Sequence, residues 1–306
     1  MDPDTFLTTL YVCVDDFCKE SLPPEPPRPG PEASLSRSEV VTLAAFSQWA
    51  RFASERDFWL FAHSNLRGAF PRLPDRSQFN RLLRSHQDAI VAFGLSFAFP
   101  GLDYEAVDTL PVTVRQYKRR GRSWLAGQAD IGYSKPIASW YFGFRVLLTS
   151  SPEGIITGFG FGPASAKDQR LADTLLALRA KPEPRLLSVG ETCGGGCYLA
   201  DKGFEGAEWH SHWQQDYGAT LLHAPRRNSL HPWPEAWRHW LASLRQIVET
   251  VFAKLTHTFR LDRERPHDLT GFGARLAAKV ALHNFCHWLN RSLGRPALSY
   301  ANLLEW

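Results

Sequence analysis

Cysteine is scarce and unpatterned in this chain. Five occur among 306 residues, and Cys13/Cys18, Cys193/Cys197 and Cys286 follow no dense spacing, which argues against a disulfide-stapled scaffold and fits a reducing compartment. Cys193-Gly-Gly-Gly-Cys197 supplies at most half of a zinc site, because no second Cys pair with metal spacing follows and the downstream histidines are scattered. Long hydrophobic runs are also missing: charged residues interrupt every apolar stretch well before the roughly 20 residues needed to span a bilayer. The opening Met1-Asp2-Pro3-Asp4 is acidic where a signal peptide is basic, so the expected location is the cytoplasm. Nor is there a bulk excess of one charge. The net charge is only +4, so any affinity for polyanions has to come from local clusters of Lys and Arg. What is abundant is apolar material: 44% of residues, including 11 Trp and 20 Phe, ample for packed cores and too much for a mostly disordered chain. The length suits two domains.

Residues 1 to 20 have helical apolar spacing. Pro23, Pro24, Pro26, Pro27, Pro29 and Pro31 then rule out regular structure and mark a linker or surface loop over 22–33. Ser36-Arg37-Ser38-Glu39 forms a capping box before an apolar helical stretch through Phe52, and a second helix is expected over Arg56–Asn65. Asp75 caps a further helical run containing Phe79, Leu82, Leu83, Ile90 and Phe93. Residues 1–100 therefore read as an all-helical region. From Tyr104 the texture changes to β-rich runs at Tyr104–Leu110, Trp140–Leu148 and Ile155–Phe161, a meander of three strands. A helix capped by Asp168 and running through Leu178, strands at Cys197–Asp201 and Ala219–His223, and a long helix over Glu235–Leu255 follow. In that long helix Trp237, Trp240, Leu241, Leu244, Ile247, Val248, Val251, Phe252 and Leu255 define one buried face, with Glu249 off it. A last helix, roughly Leu269–Leu293, is expected to pack back on the sheet. The Trp residues at 124, 140, 237 and 240 are assigned to cores, with Trp233 the exception that is free to stack on a base.

Residues 101–306 thus form an α/β domain with acidic residues in informative places. Asp108 lies on the first strand within Ala106-Val107-Asp108-Thr109-Leu110. An apolar setting of this kind makes a carboxylate costly to desolvate unless a cation balances it, which a divalent metal does well. Asp201 ends the fourth strand in Leu199-Ala200-Asp201-Lys202-Gly203-Phe204, where the glycine is expected to allow a sharp turn. Glu249 projects from the long helix. Three carboxylates suit Mg²⁺, which takes hard oxygen ligands and is normally held by few carboxylates plus substrate phosphate oxygens. Two ions about 3.5–4 Å apart can activate an attacking oxygen and stabilise a leaving one in displacement at phosphorus. The bland alternative makes Asp108 and Asp201 turn or cap residues and Glu249 ordinary helix surface.

Val107-Asp108-Thr109-Leu110-Pro111-Val112, Tyr141-Phe142-Gly143-Phe144-Arg145, Asp201-Lys202-Gly203-Phe204 and Arg245-Gln246-Ile247-Val248-Glu249-Thr250-Val251-Phe252 occur in this order on strand, strand, strand end and helix. Together they resemble the DDE transposases of bacterial insertion sequences, and the likeness spans most of the chain. It implies a ribonuclease H-like mixed sheet flanked by helices, preceded by the helical region. It also implies catalytic, metal-holding roles for Asp108, Asp201 and Glu249 with two Mg²⁺ ions, Mn²⁺ able to substitute. The implied activity is that of a metal-dependent endonuclease and polynucleotidyl transferase: water nicks double-stranded DNA at element ends and the freed 3′-OH attacks target DNA. At least a homodimer at paired ends and a nucleoid location are implied with it. The family helix often carries a Tyr three residues before the Arg and a Lys seven after the Glu; here these are Ala242 and Thr256, and Lys254 is the substitute for the Lys.

Arg245 lies four residues before Glu249, so it either clamps a substrate phosphate, as the family pattern suggests, or pairs with Glu249. Lys118, Arg119, Arg120 and Arg122 form the densest basic run and follow the first aspartate's strand, with Arg115 ahead of them. They are expected to face DNA phosphates, the alternative being a solvated loop. Lys202, Arg226 and Arg227 are further candidates of the same kind. The helical region, with Arg76, Arg81 and Arg84 on one helix, either enters a DNA groove, mediates dimerisation, or is a solvated bundle. Two rival readings remain: a stand-alone metal-dependent nuclease, and a catalytically silent DNA-binding protein derived from a transposase.

Overall fold

Side-chain caps set the starts of the amino-terminal helices. Asp2 accepts from the Thr5 N–H at the head of α1 (Pro3–Ser21). Ser36 accepts from the Glu39 N–H while Glu39 accepts from the Ser36 N–H at the head of α2 (Arg37–Phe46), so the expected capping box forms. Ser54 and Asp75 cap α3 (Glu55–Asn65) and α4 (Arg76–Ser85). In this computed structural model the described residues are 1–25, 33–99, 101–116, 125, 127–134, 138–180, 196–225 and 229–306.

Two helices are shorter than their apolar spacing suggests. α2 stops at Phe46 rather than Phe52 because the Ser47 hydroxyl and the Gln48 amide both donate to the Ala44 carbonyl, drawing it away from helix continuation. The run from Asp75 is split at His86 into α4 and α5 (Gln87–Leu95). There the Ser85 hydroxyl donates to the Leu82 carbonyl and the His86 ring lies 2.9 Å from it.

The described chain divides into two compact units: Met1–Phe97 with His257–Arg260 and Thr270–Trp306, and Ala98–Thr256 with Leu261–Leu269. The last helix, α9 (Leu269–Ser292), belongs to the first unit, correcting the expectation that it packs on the sheet. Its residues are buried on every side, from Gly271 to Asn290 with few exceptions, as in a helix surrounded by other helices. Phe6 of α1 meets Phe285 edge-on at 5.4 Å, and Asn284 donates to the Gly94 carbonyl. Buried Lys279 donates to Gln48. None of the helices is long and apolar enough to cross a membrane, among the described residues.

The second unit is built on β1 (Glu105–Gln116), β2 (Asp130–Ser134), β3 (Ser139–Ser150), β4 (Ile156–Pro163), β5 (Gly196–Leu199) and β6 (Ala219–Leu222). β3 pairs antiparallel with β1 along one edge and with β2 and then β4 along the other. The expected meander is present as β1, β3 and β4, with β2 as an addition. β1 then pairs in parallel with β5, and β5 with β6. A parallel neighbour needs a crossover; β5 and β6 are connected through α7 (Ala207–Tyr217), which the apolar spacing had not revealed. α6 (Asp168–Ala180) and α7 cover the face on which Val107, Leu147, Tyr198 and Leu221 cluster with Leu176 and Trp213. α8 (Glu235–Ala253) packs across β1, β3 and β5. This mixed sheet flanked by helices, with a separate helical region before it, is ribonuclease H-like.

Not all tryptophans are core. Trp213 is fully buried, but Trp140, Trp237 and Trp240 are each more than half exposed, and Trp124 lies outside the described residues. The buried residues of α8 are Leu241, Val248, Val251 and Phe252, so the helix is seated only from Leu241 onward. Trp237 and Trp240 precede that point, and Trp233 packs edge-on against Trp237.

Arg179, in the last turn of α6, fastens that helix to the sheet. Its guanidinium makes a forked pair with Glu105 at 2.8 and 3.0 Å and also donates to the Tyr198 and Thr149 hydroxyls and the Thr157 carbonyl. Removing one partner of such a buried pair typically costs about 3–5 kcal/mol, because the other charge is left uncompensated. Arg179→Met is therefore expected to lower the urea midpoint by an amount equivalent to about 3–5 kcal/mol, and adding Glu105→Gln is expected to recover part of it. A midpoint unchanged in the single variant would refute this anchoring.

Candidate active site

The parallel register between β1 and β5 sets where two of the three sequence-nominated carboxylates stand. Ala106 is paired with Leu199; Asp108 follows two residues later within β1, and Asp201 two residues past Leu199, where β5 ends short of the expected Asp201 while the backbone stays extended. Strand side chains alternate between faces. Val107 and Ala200 belong to the cluster under α6 and α7, so Asp108 and Asp201 turn to the other face, beneath α8. The Arg245 guanidinium reaches from α8 to the Asp108 carboxylate at 3.2 Å. It therefore does not spend itself on an i,i+4 pair with Glu249, one of the two roles that its spacing allowed.

Burial pushes the Asp108 carboxyl up to about 6. The Arg245 charge and the Thr109 N–H act against that rise, while the charges of Asp201 and Asp168 add to it. Negative charge at this point is thus only partly balanced by the protein, and a divalent cation fits such a setting. Asp108 and Asp201 offer the hard oxygens that Mg²⁺ takes. Glu249 is exposed one turn beyond Arg245, and the structure does not bring it together with the two aspartates: among the described residues no three acidic, His or Cys side chains form a group able to hold an ion.

Asp201 caps the short turn Lys202–Phe204 by accepting from the Gly203 N–H at 2.6 Å. Gly203 does not adopt a left-handed conformation, so the expected reason for its presence is replaced by another. A Cβ there would stand 2.7 Å from Asp201 Oδ1 and collide with Asp168 Oδ2. Asp168, read from the sequence only as a helix cap, is thus a third carboxylate beside Asp108 and Asp201. It accepts from the Thr109 hydroxyl at 2.8 Å and from Arg145 at 2.9 Å.

An open cleft of about 640 Å³ borders Asp201 and is lined by Lys202, Gly203, Arg238, Leu241, Ala242 and Arg245 among others. Lys202 and Arg245 were candidates from the sequence. Arg238 was not, although its spacing of seven residues from Arg245 puts both on one helix flank. Of the other basic candidates, the two among the described residues, Arg115 and Lys254, do not line this cleft. Arg115 lies seven residues past Asp108, beyond an irregularity in the β1–β3 register, and Lys254 begins the π-helical turn after α8. Lys118, Arg119, Arg120, Arg122, Arg226 and Arg227 fall outside the described residues, as does Cys193. Cys197 is a free thiol.

The raised Asp108 carboxyl has a consequence for stability. Its folded value lies about two units above the ordinary 3.8, so the folded state holds a proton that the unfolded chain gives up. Stability therefore falls as pH rises from about 4 through about 6 and stays lower above, by roughly 3 kcal/mol at most. In the absence of divalent ions, Asp108→Asn is expected to melt several degrees above wild type at pH 7.5 and to match it below pH 4. Equal melting temperatures across that range would show that the carboxylate is not under this strain.

A family model described as Transposase DDE domain matches residues 106–285. Curated proteins and solved structures give no match. The matched span holds Asp108, Asp201, Arg245 and Glu249 and covers more than half of the chain, which belongs to the family of DDE-domain transposases.

Proposed function

We propose that this chain cuts DNA at the ends of a mobile element and joins the freed 3′-OH to target DNA, with Asp108, Asp201 and Glu249 as the catalytic, metal-holding carboxylates. The observation that carries this reading is the pairing of Asp108 and Asp201 under α8 beside a cationic cleft. Asp108 and Asp201 would hold Mg²⁺, or Mn²⁺ in its place, with Glu249 approaching from the same helix flank as Arg245. When bound, the ions supply charge stabilisation for attacking and leaving oxygens at phosphorus.

The remaining work falls to side chains of the chain itself. Arg245 orients the Asp108 carboxylate through one nitrogen, and its other donors are suited to a phosphate oxygen, since an arginine has five N–H groups in a fixed fork. Lys202, next to Asp201, adds positive charge at the cleft wall. Asp201 is oriented by the Gly203 N–H, and Asp168 holds Arg145 and Thr109 next to the aspartates. Lys118, Arg119, Arg120, Arg122, Arg115, Arg226, Arg227 and Lys254 extend the backbone-binding surface to the flanking duplex. The amino-terminal helical region binds DNA or mediates dimerisation, and at least a dimer holds paired ends.

The test is cleavage and joining of a labelled duplex carrying the terminal sequences that flank the coding region, with Mg²⁺, for wild type and for Asp108→Ala, Asp201→Ala and Glu249→Ala. Wild type is expected to give nicked and joined products, and each variant is expected to bind DNA yet lose both by at least 100-fold, on the order of 3 kcal/mol of transition-state stabilisation. Variants that cut as well as wild type would remove the carboxylate assignment. Hydrolysis without joining would point to a nuclease, and binding without any cutting to a silent derivative.

A further inference from the structure

Arg238 sits in the first half of α8, seven residues before Arg245. Both line the cleft beside Asp201, with Lys202 opposite and the small side chain of Ala242 between them along the helix. Among the described residues the Arg238 side chain makes no ion pair or hydrogen bond, whereas Arg245 is tied to Asp108. With the Arg245 charge shared with Asp108, Arg238 and Lys202 border this concave space against one carboxylate, Asp201. Like charges gathered at a cleft repel one another unless an anion lies between them, and such a cleft raises the local concentration of anionic ligand. The spacing gives a length: seven helical residues rise about 10.5 Å, and because one strand winds about the duplex as it advances about 3.4 Å per nucleotide, its successive phosphates lie roughly 6–7 Å apart and alternate ones roughly 12 Å. The two guanidinium groups thus match phosphates about two nucleotides apart.

On the footing of the transposase reading above, we propose that Arg238 is a substrate-binding residue that grips the phosphate about two nucleotides from the one at Arg245, fixing how far along the strand the cut falls. A guanidinium contact with a phosphate contributes affinity and releases about one counterion, without reading a base.

The test uses the full-length chain, without divalent ions so that no cleavage occurs, and follows anisotropy of a labelled element-end duplex. A series of duplexes carries a single neutral methylphosphonate at each of the six phosphates on either side of the junction. Arg238→Ala is expected to bind the native duplex roughly tenfold more weakly, about 1.4 kcal/mol, with a salt slope lower by about 0.9 and an unchanged melting temperature. Arg238→Lys is expected to recover part of the affinity. The neutral linkage about two nucleotides from the junction should weaken wild type but add nothing to the loss in Arg238→Ala. Native affinity in Arg238→Ala, or a full added loss at every linkage, would overturn the assignment while leaving the transposase reading intact. No preference of wild type for the element-end duplex would bring down both.

Discussion

A carboxylate withdrawn from water in the middle of a sheet is the constraint around which the catalytic half of this protein is arranged. Asp108 occupies the strand that pairs on both sides, antiparallel with β3 and parallel with β5, so its backbone has no freedom to carry the charge out to solvent. Compensation has to come to it. Arg245 supplies part of this from α8, while Asp201 and Asp168 work in the opposite sense. A cluster in which protein cations fall short of protein anions is poorly suited to being a mere structural ion pair and well suited to a site completed by a metal and a phosphate.

Around that cluster, α6 is held at both ends by charge. Asp168 in its first turn takes Arg145 and Thr109, and Arg179 in its last turn takes Glu105. Thr109 and Glu105 both belong to β1, so one helix is stapled along the strand that carries Asp108. Desolvated arginines with several acceptors hold geometry well because the guanidinium is planar and its donors point in fixed directions. The site thus rests on a scaffold element and not on a loop.

The outline of this arrangement was legible in the residues because the signals were local. Caps at Ser36 and Asp75, β-rich runs, and a carboxylate set in Ala106–Leu110 each declare themselves within a few positions. What escaped was relational. The role of Asp168 depends on Arg145 and Thr109, 23 and 59 residues away in sequence. The tryptophans of α8 have helical spacing that looks like a core face, yet spacing along a helix does not say how far the sheet beneath it extends. α9 is apolar all round, and periodicity alone does not distinguish a helix laid on a sheet from one enclosed by other helices. The turn at Gly203 is legible in the sequence but its cause is not, since only the positions of two carboxylates explain why no side chain fits there.

The enclosure of α9 has a bearing on how the protein comes into being. Phe6, Gly94 and Gln48 all rest on residues of that helix, so the amino-terminal helices emerge from the ribosome without the segment that fills their centre. Synthesis has to continue for roughly 200 residues more, on the order of 10–40 s at about 5–20 residues per second, and the sheet unit is made in the meantime. The amino-terminal helices, translated well before α9, are therefore among the last elements to reach native packing, and during that interval their phenylalanines lack the segment that encloses them.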